Sequence, residues 1–218
     1  MLIAGIPSAA TATNCWVVAP GPGEQCVVID PGIDVESGLD DVIAENRLHP
    51  VAVLLTHGHI DHTFSVVPVC QARDVAAYIH PDDRGQLADP WSGLGLPSGT
   101  PLLGLGGFPL AEPDDVRELA DGVAVPLGGL KFGVRHAPGH TRGSVVFDLD
   151  DQLFSGDVLF AGSIGRVDLP GGSMADMTAS LLEVILPLPD ETVVHPGHGP
   201  STTIGRERAT NPYLLDLL

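Results

Sequence analysis

A chain of 218 residues, 44% of them apolar and with 27 Gly and 20 Pro, is long enough to bury a core without disulfides and too apolar for disorder. One globular domain over residues 1–218 is the expectation. The formal net charge of −18, with 10 Lys and Arg against 28 Asp and Glu and only Lys131 as lysine, leaves no basic stripe for a phosphate backbone and argues against nucleic acid as a partner.

From the N-terminus, short apolar and β-branched runs bounded by Gly, Pro or Asp predict strands at residues 15–19, 26–29 and 51–55. Helical spacing predicts helices over 35–46 and 63–72, and a strand follows at 76–79. Residues 82–122 hold many Gly, Pro and Asp and little periodicity beyond a short helix at 114–119. They read as a long loop, either shaping the mouth of a site or forming an inert insertion. Strands at 131–135, 144–149, 152–154 and 192–194, a helix at 174–186 and a short C-terminal helix complete an α/β pattern. The turns at 20–25 and 150–151 are too short for a helix and make hairpins, so the sheets are mixed and two hairpin-rich halves suggest two packed sheets.

Cys15, Cys26 and Cys70 form no Cys-x-x-Cys pair and lie in or beside apolar runs, as structural thiols of a reducing compartment do. The N-terminus lacks a basic leader and no apolar run approaches the roughly 18 residues of a membrane span, so a cytoplasmic protein with no membrane contact is expected.

The densest chemical signal follows the apolar run 51–55: Thr56-His57-Gly58-His59-Ile60-Asp61-His62. Three imidazoles and a carboxylate this close would repel if the rings were protonated, and they are the donors zinc accepts. Three further sites repeat one pattern of apolar run, small-residue turn and donor: Pro138-Gly139-His140, Gly156-Asp157 and Pro196-Gly197-His198. Gly and Pro let the backbone turn sharply and bring each side chain near its neighbours. Five histidines and two aspartates exceed the four ligands of one tetrahedral zinc. Two metals fit better, with His57, His59 and His140 on one ion, Asp61, His62 and His198 on the other, and Asp157 bridging.

His49, His80, His136 and His195 fall outside these turns. His136 and His195 read as ordinary structural histidines, with partners that orient a nearby ligand as the alternative. Ser144 and Ser155 lack a nucleophile elbow, residues 5–38 hold no phosphate loop, and Gly104-Leu105-Gly106-Gly107 reads as loop.

The Thr-His-x-His-x-Asp-His segment and the three spaced turns resemble the metallo-β-lactamase-fold superfamily over essentially the whole chain. The resemblance implies an αββα sandwich, two mixed sheets flanked by helices, with metals at one edge. The strings Phe154 to Gly172 and His195 to Gly205, with Asn211-Pro212-Tyr213 after them, are similar to the glyoxalase II (hydroxyacylglutathione hydrolase) group, especially its short single-domain bacterial members. That likeness implies two zinc ions, with iron or manganese as alternatives, and catalytic roles for Asp61 and Asp157. The implied reaction is attack by a hydroxide shared between the ions on a 2-hydroxyacyl thioester of a small thiol.

Three departures bear on the substrate. About twenty residues follow His198 where full-length glyoxalase II enzymes carry a helical domain that supplies much of the glutathione site. Gly199-Pro200 replaces the family's usual tyrosine, and Arg166 stands where a thiol-contacting lysine often sits. Arg166 is a candidate substrate-binding residue, a planar donor for a substrate carboxylate, or else pairs with Asp168. β-Lactamases of this fold usually place Cys at the position of Asp157, and flavodiiron proteins Glu at that of His59; neither matches. Persulfide dioxygenases share the ligand pattern with one iron, and a non-catalytic metal-bound ligand sensor is a third reading.

Overall fold

The computed structural model describes residues 1–101 and 111–218. Its first half runs β1 (Leu2–Pro7), β2 (Asn14–Ala19), β3 (Gln25–Ile29), α1 (Glu36–Asn46), β4 (His49–Leu54), α2 (Ile60–Thr63), α3 (Val66–Arg73), β5 (Ala76–Ile79), α4 (Pro81–Ala88), α5 (Pro90–Leu94) and β6 (Val116–Glu118). The second runs β7 (Ala124–Leu127), β8 (Leu130–His136), β9 (Val145–Leu149), β10 (Gln152–Gly156), α6 (Met174–Ser180), β11 (Val193–Pro196), β12 (Thr202–Thr203), α7 (Ile204–Thr210) and α8 (Pro212–Leu215). A π turn over Leu181–Ile185 extends α6.

Each half makes a six-stranded sheet, ordered β1-β2-β3-β4-β5-β6 and β12-β11-β10-β9-β8-β7. The short turns produce the antiparallel pairs β2/β3 and β9/β10, whereas β3/β4 is parallel because α1 carries the chain back. Both sheets are therefore mixed.

The apolar residues divide into three layers. Val18, Val27, Ile29 and Leu54 from one sheet meet Phe132, Val134, Phe147 and Phe154 from the other. On the outer face of the first sheet Leu39 of α1 and Val66 and Val69 of α3 pack on Val17, Val28 and Val53. On the second, Met177, Leu181 and Ile204 cover Val146, Leu153 and Val194. This is the expected αββα sandwich, with Cys15, Cys26 and Cys70 all buried in its first half. No helix among the described residues is long and apolar enough to cross a membrane.

Residues 82–122 differ from the expected loop. They contain most of α4, all of α5, and β6 in place of the helix expected at 114–119. Parallel pairing of Val116, Arg117 and Glu118 with Ala77, Tyr78 and Ile79 supplies the backbone hydrogen bonds, and this sheet contact overrides a weak local helical pattern. Gly104 to Gly107 lie outside the described residues. β1, β7 and β12 were also not expected. They are edge or near-edge strands whose mixed exposure blurs the apolar pattern. The helix expected over 63–72 is divided at Phe64-Ser65, where Ser65 N–H donates to Pro31 O and Ser65 Oγ to Gly32 O.

The turns after β3, β4, β8, β10 and β11 open on one edge of the sandwich. There Thr13 bridges His198, and Asn14 N–H donates to Gly197 O at 2.7 Å, tying the sheets together.

Candidate metal centre

The strand ends are fixed by buried carboxylates before any ligand is considered. Asp30, in the left-handed region at φ 50°, accepts from Thr56 N–H at 2.8 Å and Thr56 Oγ1 at 2.6 Å. It also accepts from His62 Nδ1 at 3.0 Å. Thr56 spends its hydroxyl proton on Asp30, so its Oγ1 accepts from His57 Nδ1 at 3.1 Å. His140 Nδ1 donates to the Arg166 carbonyl at 2.7 Å. In all three rings Nδ1 is engaged by an outer oxygen and Nε2 is left to face the cluster, the arrangement by which outer partners orient a ligating imidazole.

A second carboxylate, Asp83 at the start of α4, joins two of the loops. Its Oδ2 accepts from Gly58 N–H at 2.9 Å and Thr141 Oγ1 at 2.6 Å, and its Oδ1 from Gly143 N–H at 2.9 Å. Close backbone approach explains a glycine as well. A Cβ on Gly197 would collide with Asp157 Oδ1 and lie 2.7 Å from His62 Cε1.

All seven predicted residues converge. Donor atoms of His57, His59 and His140 lie within 4.8 Å of one another, as do those of Asp61, His62 and His198. Asp157 stands between the groups, with Oδ1 3.3 Å from His62 Nε2 and Oδ2 3.5 Å from His140 Nε2 and 3.6 Å from His198 Nε2. His57 Nε2, His62 Nε2 and Asp157 Oδ1 are buried without a hydrogen-bond partner. Leaving such atoms unsatisfied is costly, and divalent cations satisfy them. Asp30 also lies near His57 and His62, but its oxygens are engaged by Thr56 and His62.

Charge follows the same division. Burial first, and then the neighbouring rings His62, His140, His59 and His198, hold His57 well below its ordinary pKa. Burial and His140 push His59 down to about 4. Burial would raise Asp61 and Asp157, but His62 and the other histidines outweigh it and keep both carboxyls below their ordinary range. Burial likewise opposes a proton on His62, yet Asp157 and Asp61 raise it well above normal. His198 is raised against burial by its bond to Asp61. Positive charge is thus drawn to the space between the carboxylates, carried by His62 and His198 where no metal is bound; a metal there would take the place of those protons.

Arg166 makes two 2.7 Å bonds to Asp168, holding that carboxyl down at about 2. Both side chains are exposed, so Arg166 meets the cluster through its carbonyl. His136 bonds Arg142 O and stacks on His80, whereas His195 lies between Gln152 and Ser201 and packs on Trp16. Neither has a hydrogen bond to the seven. Sequence reasoning missed Asp30, Asp83 and Thr13, whose Oγ1 donates to Asp61 at 3.1 Å. Asp30 had a usable signal, since Asp30-Pro31-Gly32 sets a carboxylate between an apolar run and a Pro-Gly turn, in the reverse order of the turn and donor at His140 and His198.

The family model described as the metallo-beta-lactamase superfamily matches residues 9–198. The chain belongs to the metallo-beta-lactamase superfamily. Among curated relatives, a hydroxyacylglutathione hydrolase, GloC, of Haemophilus influenzae is 34% identical over 211 residues, covering 96% of each chain. Among solved structures of the superfamily, the BLEG-1 B3 metallo-beta-lactamase superposes with TM-score 0.85 at 38% identity, covering 98% of this chain and 99% of that one. The di-iron-bound form of TTHA1623 gives 0.76 at 40%, covering 97% and 100%. ETHE1 from Myxococcus xanthus gives 0.79 at 25%, covering 97% and 84%. Superfamily members are mostly metal-dependent hydrolases, and the clustered donors fit a binuclear site.

Proposed function

We propose that the chain is a binuclear metal-dependent thioesterase of the glyoxalase II type, a single cytoplasmic domain that cleaves 2-hydroxyacyl thioesters of a low-molecular-weight thiol. The observation that carries the reading is the pair of three-donor groups with Asp157 between them. His57, His59 and His140 would hold one ion and Asp61, His62 and His198 the other, with Asp157 placed to serve both. Two zinc ions are the first choice, with iron or manganese as alternatives. When bound, such ions polarise the acyl carbonyl and lower the pKa of water towards about 7.

The chain's own residues supply position and access. Asp30 and the Arg166 carbonyl hold the rings of His62 and His140, and Thr13 holds Asp61. His62, His140 and Asp157 have side chains 0–10% exposed, against 28% for both Asp61 and His198. Substrate therefore approaches over Asp61 and His198, beside the ring of Phe160, which stands edge-on to His198. Arg166 exchanges Asp168 for a carboxylate of the substrate. The departing thiol has a pKa near about 8.5 and needs little help from an acid, which agrees with a cluster that offers none beyond the donors. Similarity to GloC supports the thioester class. A small molecule is the partner; a −18 chain repels nucleic acid.

Metal analysis paired with a thioester panel tests the reading. Two equivalents of metal and hydrolysis of a 2-hydroxyacyl thioester are expected. Likeness to ETHE1 makes the dioxygenase the second reading: one iron and oxygen uptake with glutathione persulfide, without thioesterase activity, would replace the first. Binding of thioester without turnover would indicate a sensor, and hydrolysis of a β-lactam alone would move the chain to that substrate class.

A further inference from the structure

A second group of donors lies outside the central cluster, where α4 begins beside the end of β8. His80 caps α4, and its Nδ1 accepts a long 3.3 Å bond from Asp82 N–H. Its lone pair is therefore on Nδ1, 3.8 Å from Asp82 Oδ2. His136 Nε2 donates to Arg142 O at 2.7 Å, which places its lone pair on Nδ1 as well. The two rings stack with centroids 4.2 Å apart and planes 7° apart. One donor atom from each of His80, Asp82 and His136 lies within 4.8 Å of the other two.

We propose that His80, His136 and Asp82 form a further metal site, which takes a divalent transition ion such as zinc through two imidazoles and one carboxylate. The donor set decides the class of ion: imidazole suits zinc, nickel and copper, whereas calcium and magnesium take oxygen. The carbonyl of Arg142 behind His136 is the kind of outer partner that orients a ligating ring. The surroundings are acidic. Asp82 and Asp83 lie on α4, and Asp121 accepts from His136 N–H at 2.8 Å. Burial and the neighbouring His136 keep His80 below its ordinary pKa, so it is neutral at neutral pH. The His80 side chain is 12% exposed and that of Asp82 56%, which leaves an entry path on the carboxylate side.

The two rings lie face to face, so an ion shared between them would open the stack. Its effect reaches the centre, because α4 carries Asp83 and His136 holds the loop after His140. An ion here ties the start of α4, which carries Asp83, to the end of β8 and, through Arg142 O, to the loop after His140.

Equilibrium dialysis of chelator-stripped protein against zinc at neutral pH, with bound metal counted by mass spectrometry, tests this. Wild-type protein is expected to hold one equivalent more than either His80→Asn or His136→Gln. Asparagine keeps a helix-capping acceptor, and glutamine keeps an N–H for Arg142 O, so both variants retain their local anchors; circular dichroism checks the fold. The comparison is between variants, so it holds whatever number of ions the central cluster takes. Equal counts in wild type and variants overturn the proposal. Loss of more than one equivalent also overturns it, since the central cluster would then have been damaged. Ring 15N shifts of His80 and His136 that move on zinc addition supply an independent positive readout.

Discussion

Replacing Asp83 by asparagine asks whether one buried carboxylate holds two ligand-bearing loops in place. Asp83 is 1% exposed and takes Gly58 N–H and Thr141 Oγ1 on Oδ2 and Gly143 N–H on Oδ1. A carboxylate accepts at both oxygens, a carboxamide at one. Whichever way the amide lies, the N–H of Gly58 or that of Gly143 faces an NH2 group. Thr141 adapts, because its Oγ1 also lies 2.7 Å from Ser144 Oγ. Orphaning a buried N–H costs about 1–3 kcal/mol, and a hydrogen bond to a charged group contributes about 1.5–3 kcal/mol. The metal-free variant should therefore lose roughly 3 kcal/mol in urea denaturation. Gly58 lies between His57 and His59 and Gly143 just beyond His140, so zinc affinity should also fall about 10- to 100-fold in competition with a chromophoric chelator. A variant that loses less than about 1 kcal/mol and binds zinc as the wild type does would refute this account of the site.

Gly197→Ala drives a methyl group onto Asp157 Oδ1 and His62 Cε1; metal affinity and kcat/KM should fall by about 100-fold, and unchanged metal content would sink the bridging geometry. His195 is pushed down to about 4 from 6.5 by burial. Between those values the unfolded chain binds a proton that the folded chain does not, so stability falls as pH drops from 6.5 towards 4. His195→Gln should flatten that part of a stability-against-pH curve, and an unaltered slope would assign it to other groups. Arg166→Ala should raise KM about tenfold for a carboxylate-bearing thioester, the equivalent of about 1.4 kcal/mol of binding, with kcat unchanged. Equal kinetics on charged and uncharged thioesters would confine Arg166 to its pair with Asp168.

Much of the centre was legible because metal binding is written locally. An ion needs imidazole and carboxylate at a sharp turn, and His57 to His62, His140, Asp157 and His198 each follow a strand and a small residue. The hairpin turns at 20–25 and 150–151 likewise announced mixed sheets, since no helix fits in so few residues. Those signals involve neighbours in the chain, and local chemistry suffices to read them.

What joins distant segments was decided only in three dimensions. β6 exists because β5 offers it a hydrogen-bonding edge. Asp83 had no distinguishing pattern in a stretch read as loop, yet it ties Gly58 to Gly143. His80 and His136 are 56 positions apart, and only the packing of α4 against β8 stacks their rings. Amino-acid types and local spacing determined which side chains favour a metal; the meeting of the two sheets at one edge determined which of them share a space, because convergence there is set by sheet packing and long-range hydrogen bonds.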